Sequence, residues 1–370
     1  MKTRPLARPY RLRRAARPVL VGLGALAFMF VGATGCGSHT VASRATSRPG
    51  KLATPLPVTT SMPATTTTTE VTAAGLSWSS ARAIDTTSVG KGTPVAVSCA
   101  SPTFCMAVDD GGNAISYDGA RWGAPTTIDT GNELGSVSCA TIDFCAAVDS
   151  SGNALIYKNG KWGNPKSIDS GTQLNSVSCP SAKFCVAVDT LGSAVVYDGT
   201  SWGRPVVVDA GGDLSEVSCP TATFCAAINF NTDDANASGA SAIIFNGGRW
   251  GRHTAMPAGF GNGQSISCAS KDMCAVIDSS GHTVIFNGSS WGEARAVDVA
   301  NADVQSSAVS CPSADFCVVV DSVGRVLDYD GTGWTDPLAI AEGGPLTDVS
   351  CPSPRFCAAA GYTGAVLTGS

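Results

Sequence analysis

Fourteen of the fifteen cysteines come in pairs, each enclosing five residues: Cys99/Cys105, Cys139/Cys145, Cys179/Cys185, Cys219/Cys225, Cys268/Cys274, Cys311/Cys317 and Cys351/Cys357. Two thiols so close in sequence could form a disulfide or supply half of a zinc site. The gap is wrong for the usual zinc spacings, and only three histidines stand in the whole chain, so the zinc reading lacks ligands. Residues facing each other at a hairpin end have Cα atoms about 4.5–5.5 Å apart, within disulfide reach. The expectation is seven local disulfides at the tips of hairpins, made in an oxidising compartment.

The carboxylates recur as regularly. Asp109, Asp149, Asp189, Asp278 and Asp321 close one apolar run of each repeat, while Asp85, Asp129, Asp169, Asp209 and Asp298 close another. An aspartate at the first position of a turn binds the backbone N–H groups ahead of it, and that structural role is expected for both rows. Asp233 and Asp234 in "TDDANAS" could offer oxygens to calcium, but the alternating ligands of an EF-hand loop are missing. His253 has no nucleophile near it in sequence, and His282 sits in an ordinary repeat. No nucleophile elbow, phosphate-binding glycine loop or zinc-protease helix is present. No metal or cofactor is expected, and no catalytic residue can be named.

The elements that must position these residues follow from the cysteine spacing. Successive first cysteines lie 40, 40, 40, 49, 43 and 40 residues apart, a period of propeller blades. Each unit reads as four short strands, as in "SVSC", "FCVAVD", "SAVVYD" and "SWGRPVVVD", separated by Asp- and Gly-containing turns. All seven tryptophans start a fourth strand, where identical placement argues for packing between blades rather than sugar stacking. Trp78 precedes the first cysteine pair, and the chain stops after a third strand, "GAVLTGS". Pairing these ends completes the last blade. The fold class is therefore all-β, a seven-bladed propeller of four-stranded antiparallel blades over residues 76–370, closed by an N-terminal strand.

Loops joining blades, and loops between second and third strands, share one face, called the top. Two irregularities fall there. "NFNTDDANASGAS" (229–241) enlarges one loop of the fourth blade, and "MPAGFGNGQS" (256–265) replaces the usual link to the fifth. Asn229, Asp233, Asp234, Asn236, Met256, Phe260 and Asn262 are accordingly the candidate binding residues. On the opposite face, Arg121, Lys158, Lys161, Lys183, Arg249, Lys271 and Arg355 suggest a basic underside turned toward an anionic membrane.

The N-terminus carries seven basic residues before the apolar run "VLVGLGALAFMFV" (19–31), the pattern of an export signal and short for a spanning helix. The following "GATGCGS" resembles the lipobox of bacterial lipoproteins, which implies a signal peptide of residues 1–35 and lipidation of the remaining cysteine, Cys36. A retained apolar anchor is the alternative. Residues 36–75, rich in Thr, Ser and Pro, read as a disordered tether. Removing residues 1–35 leaves 17 basic against 29 acidic residues, a charge of −12 that disfavours nucleic acid.

The units "VSCPSxxFCxAVD" resemble the repeats of secreted and membrane-attached bacterial β-propeller proteins. The resemblance covers residues 76–370 and implies architecture, not activity. "YDGTSW" and "FNGSSW" are similar to the Asp box of exo-sialidases but one residue shorter, with its serine matched only at Ser116, and no arginine set on the top loops could clamp a carboxylate sugar. The expected function is a monomeric, lipid-anchored extracytoplasmic scaffold that binds an envelope protein or glycan. The alternative is a glycan-acting hydrolase.

Overall fold

The computed structural model describes residues 71–73, 75–84, 94–230, 240–297, 305–341, 344–361 and 364–370. The signal segment, Cys36 and most of the tether lie outside the described residues. Seven antiparallel sheets form the blades, and their first strands run Pro94–Ser101, Leu134–Thr141, Leu174–Ser181, Asp213–Thr221, Gly263–Ser270, Ser306–Ser313 and Leu346–Ser353. These innermost strands line the axis, and the expected fold class is the one observed.

The repeated "VSC" explains why the first strands form a ring. Each cysteine turns into the core shared with the preceding blade, and the serine before it points to the blade that follows. Ser98, Ser138, Ser178, Ser218, Ser267 and Ser310 each accept, through Oγ, the backbone N–H of the next blade's first cysteine at 2.9 Å. Ser350 accepts from Cys99 N across 251 positions and closes the circle at the same 2.9 Å.

All seven expected disulfides are present: Cys99–Cys105, Cys139–Cys145, Cys179–Cys185, Cys219–Cys225, Cys268–Cys274, Cys311–Cys317 and Cys351–Cys357. Their Cα atoms lie 3.9–4.1 Å apart, tighter than anticipated, because the cysteines face each other directly across a narrow pair, as Cys99 and Cys105 do. The bridges stand at the hairpin ends as expected, and their setting there is the protein core. The second cysteine of every pair, Cys105, Cys145, Cys185, Cys225, Cys274, Cys317 and Cys357, is wholly buried. The physical reason is that each bridge packs beneath a side chain of the blade before it. Cys145 lies in a cluster with Met106, Cys225 with Val186, Cys274 with Phe224, Cys317 with Met273 and Cys357 with Val318, while Cys105 and Cys185 meet Phe356 and Phe144. The disulfides are therefore core between blades and not a reactive surface.

The fourth strand is not the single run that the sequence suggested. In blade 3, Trp202 bridges Tyr197, whereas only Val206–Val207 continue the ladder, with the register slipped by one residue. Pro125, Pro165, Pro205 and Pro337 stand at the interruption in four blades and have no N–H to donate, so the chain bulges there. Before the bulge, Gly203 N donates to Val196 O at 2.8 Å, and the same bond recurs at Gly123, Gly163, Gly251 and Gly292.

The last blade closes as the tryptophan count required. Trp78 pairs with Gly369, while Arg82 and Ala83 pair with Val366 and Ala365. Elsewhere the tryptophan leans on a third-strand aromatic at 5.0–5.5 Å, as in Tyr197–Trp202 at 5.3 Å. Gly369 replaces that aromatic, and a Cβ there would stand 2.9 Å from the Trp78 ring. A strand inside the segment assigned to the tether, Val71–Ala73, pairs back on Leu76–Trp78 and lies against the third strand of blade 6, Arg325–Tyr329.

Candidate binding surfaces

On the top face, Asp109, Asp149, Asp189, Asp278 and Asp321 are fully buried. Each uses Oδ1 to accept two backbone N–H groups of the following turn, as Asp189 does from Leu191 (2.9 Å) and Ser193 (2.7 Å). The donor to the other oxygen varies among the blades. Asn113 and Asn153 donate side-chain amides to Asp109 and Asp149 at 2.9 and 2.6 Å. Gly261 N reaches Asp278 at 2.7 Å, with the His282 ring 3.0 Å away, and Arg325 Nε reaches Asp321 at 2.6 Å.

Blade 3 has Ser193 where these amides stand, and Asp189 Oδ2 receives no N–H donor among the described residues. It faces Asp169, from the end of the preceding blade. Burial first, then the shared hydrogen bond with Asp189, pushes the Asp169 carboxyl up to about 6. Below about pH 6 a proton on Asp169 can bridge the two carboxyls and join blades 2 and 3. Asp129 is raised in the same way, by burial and by Asp149. In blade 4 Asn229 takes the aspartate's place, and its Nδ2 donates to Asp209 Oδ2 at 2.6 Å, so an amide does permanently what the proton does next door. The second-strand aspartates show the turn role expected of them, whereas in the fourth-strand row Asp129 and Asp209 accept from the side chains of Asn132 and Asn229 instead of the turn's backbone. Asp85 and Asp298 lie outside the described residues.

The turns require glycine. Gly152 has φ +83°, and a Cβ on it would stand 1.7 Å from Asp169 O, the oxygen of the very residue that reaches across to Asp189.

The candidate binding residues divide. Asn229 is buried, spent on Asp209 and on Ser241 N at 2.7 Å. Met256 and Phe260 are also buried, packed with Ile228 and Val276 between blades 4 and 5, and offer no surface. The physical reason is Gly263, which stands where Leu134, Leu174, Leu214 and Leu346 fill the start of other first strands. The irregular link folds Phe260 into the volume that leucine vacates. Only Asn262 is exposed, and Asp233, Asp234 and Asn236 lie outside the described residues.

Sequence reasoning passed over the axial channel. A polar space of about 170 Å³ is lined there by one or two residues of every first strand. The residue before "VSC" or "ISC" is Ser136, Ser176 and Ser265 in three blades, each accepting a backbone N–H of the next blade. In blades 4 and 7 it is Glu216 and Asp348, which accept from Ile266 N (2.6 Å) and Val97 N (2.8 Å). Burial pushes Glu216 up to about 8 and Asp348 up to about 7, opposed by those backbone bonds. Aligning the seven motifs would have exposed the substitution, but not the channel it faces.

The underside does not carry the expected polarity. All seven basic residues are exposed, but Asp118, Asp143, Asp198, Asp272, Asp315 and Asp330 share their turns. Arg121 pairs with Asp118 at 3.6 Å and Lys271 with Asp272 at 2.7 Å.

Between neighbouring blades, lateral grooves open at the rim. That between blades 2 and 3 has a volume of about 430 Å³, with Ile156, Trp162, Tyr197 and Trp202 as its apolar wall and Lys158, Lys161 and Lys166 around it.

Comparison with solved structures follows this architecture. The chain is similar to a propeller described as YCF48 bound to D1 peptide, with a TM-score of 0.61 and 14% identity, over 79% of this chain and 96% of that one. It is also similar to YCF48 from Cyanidioschyzon merolae, with a TM-score of 0.58 and 14% identity, over 78% and 98%. At that identity the likeness is one of fold. No protein-family model and no curated protein matches the chain.

Proposed function

We propose that the protein is a non-catalytic binding module, held outside the cytoplasm by a lipidated Cys36, whose propeller docks an envelope protein. The observation that carries this reading is that the second-strand aspartates and the two channel carboxylates are engaged by the fold. The second-strand aspartates bind turns, and Glu216 and Asp348 hold the neighbouring blade's backbone. The similar propeller solved with a bound peptide supports a protein partner. The contact is the top of blades 4 and 5, where Asn262 is exposed and the enlarged loop 231–239 adds length. Replacing residues 231–239 by a Gly-Ser link, which leaves Asn229 and Ser241 in place, weakens capture of the partner from solubilised envelope at least tenfold; undiminished capture would remove this contact.

A glycan hydrolase is the second reading, favoured by the raised carboxyls of Glu216 and Asp348 on the channel. Against it, the channel volume of about 170 Å³ falls below the roughly 300 Å³ at which ligand pockets begin. Glycoside hydrolysis by the wild type that Glu216→Gln abolishes would establish it.

A further inference from the structure

The lateral grooves offer a second docking mode, distinct from the top-face contact. The chain itself shows how such a groove is filled. At the junction of blades 6 and 7, the extended segment Val71–Ala73 runs antiparallel to Leu76–Trp78, the outer strand of blade 7, and lies against the third strand of blade 6. The corresponding space between blades 2 and 3 is walled by the third strand of blade 2 (Asn153–Lys158) and by Thr200–Trp202 of blade 3. It is open.

Its chemistry differs from that of the grooves between blades 5 and 6 and between blades 1 and 2. Lys158, Lys161 and Lys166 line it with no acidic residue among the lining side chains. The groove between blades 5 and 6 mixes Glu293 and Asp336 with Arg295, and that between blades 1 and 2 has only Lys161. Lys158 is held in place: its Nζ donates to Tyr197 Oη at 3.1 Å and stands 5.7 Å from the Phe144 and Tyr197 ring centres. Asp198, in the adjoining turn, keeps its charge and accepts the Thr200 and Ser201 N–H groups at 2.9 and 2.8 Å, and among the described residues it forms no ion pair with the three lysines. Three cations beside an aromatic wall, on a domain that is acidic overall, call for an occupant that is both extended and negative.

We propose that the groove between blades 2 and 3 docks an extended acidic peptide segment of a partner protein, seated as Val71–Ala73 is seated between blades 6 and 7. Its carboxylates meet Lys158, Lys161 and Lys166, and its apolar side chains meet Trp162 and Ile156.

The test uses the full chain and a nine-residue peptide of alternating glutamate and valine with a photoreactive group at one end. Its lysine-for-glutamate counterpart and phosphatidylglycerol vesicles serve as comparison probes. The expected result is cross-linking to residues 154–166 or 197–202, with affinity lowered about tenfold or more by Lys161→Glu/Lys166→Glu and again by raising salt from about 50 to 500 mM. Both lysines are exposed, so an unchanged melting temperature certifies the variant. The Gly-Ser replacement of 231–239 leaves this binding unaltered, which separates the proposal from the top-face contact. No binding up to about 1 mM, cross-links elsewhere, equal binding of the lysine peptide, or lysine-dependent binding of vesicles alone would overturn it.

Discussion

Single residues decide how neighbouring blades adhere, and the clearest case is the carboxyl pair Asp169–Asp189. Because Asp169 titrates near 6 in the fold rather than at 3.8, its contribution is complete below about pH 4 and is lost as pH rises through about 6. Asp189→Asn would copy blade 4, where Asn229 donates to Asp209, and would let Asp169 remain a carboxylate. The variant should melt about 2 °C higher at pH 7.5, from a gain of about 1 kcal/mol after allowance for Asp169's partial exposure, and equal to wild type at pH 4. A thermal melt at both pH values checks it, and a loss of stability at pH 7.5 would refute the shared proton. The turn roles of the aspartates were legible because the turn sequence is local. The shared proton was not, because its two carboxyls come from different repeats.

Among the elements, the first two strands of each blade carry the constraint. Cys179–Cys185 joins them at the end of a seven-residue loop, worth roughly 2.4 kcal/mol by chain entropy. Cys179→Ala/Cys185→Ala should therefore lower denaturant stability by about 2–4 kcal/mol, since both side chains also fill the core beside Val177 and Val195. An unchanged midpoint in guanidinium would contradict that role. These strands and their cysteine pairing were plain in the sequence, as was the closure through Trp78. The depth of the bridges was not, since Cys145, Cys225, Cys274, Cys317 and Cys357 are covered by residues some forty positions earlier in the chain. The break in the fourth strand could have been inferred from its prolines. Phe260 could not, because its burial compensates for Gly263, and that exchange is visible only when the blades are side by side. The same blindness hid Glu216 and Asp348, which look like ordinary substitutions until seven first strands surround one axis.

At the scale of the molecule, a ring of seven serine-to-backbone bonds, closed by Ser350 and Cys99, makes the propeller a closed disc. If Cys36 is the lipid site, Cys36→Ala should move the protein from the membrane fraction to the soluble extracytoplasmic fraction, read by fractionation and blotting. Retention in the membrane would point to the apolar segment 19–31 as a kept anchor. The central claim is that the disc binds a protein and performs no chemistry. It is tested most directly by placing a photo-crosslinking amino acid at Asn262 in the full chain and identifying the adducts from intact cells by mass spectrometry. The account predicts one discrete protein adduct that disappears when residues 231–239 are replaced by Gly-Ser. Adducts with glycan alone, or none above those of a control position such as Thr127 on the rim, would contradict it.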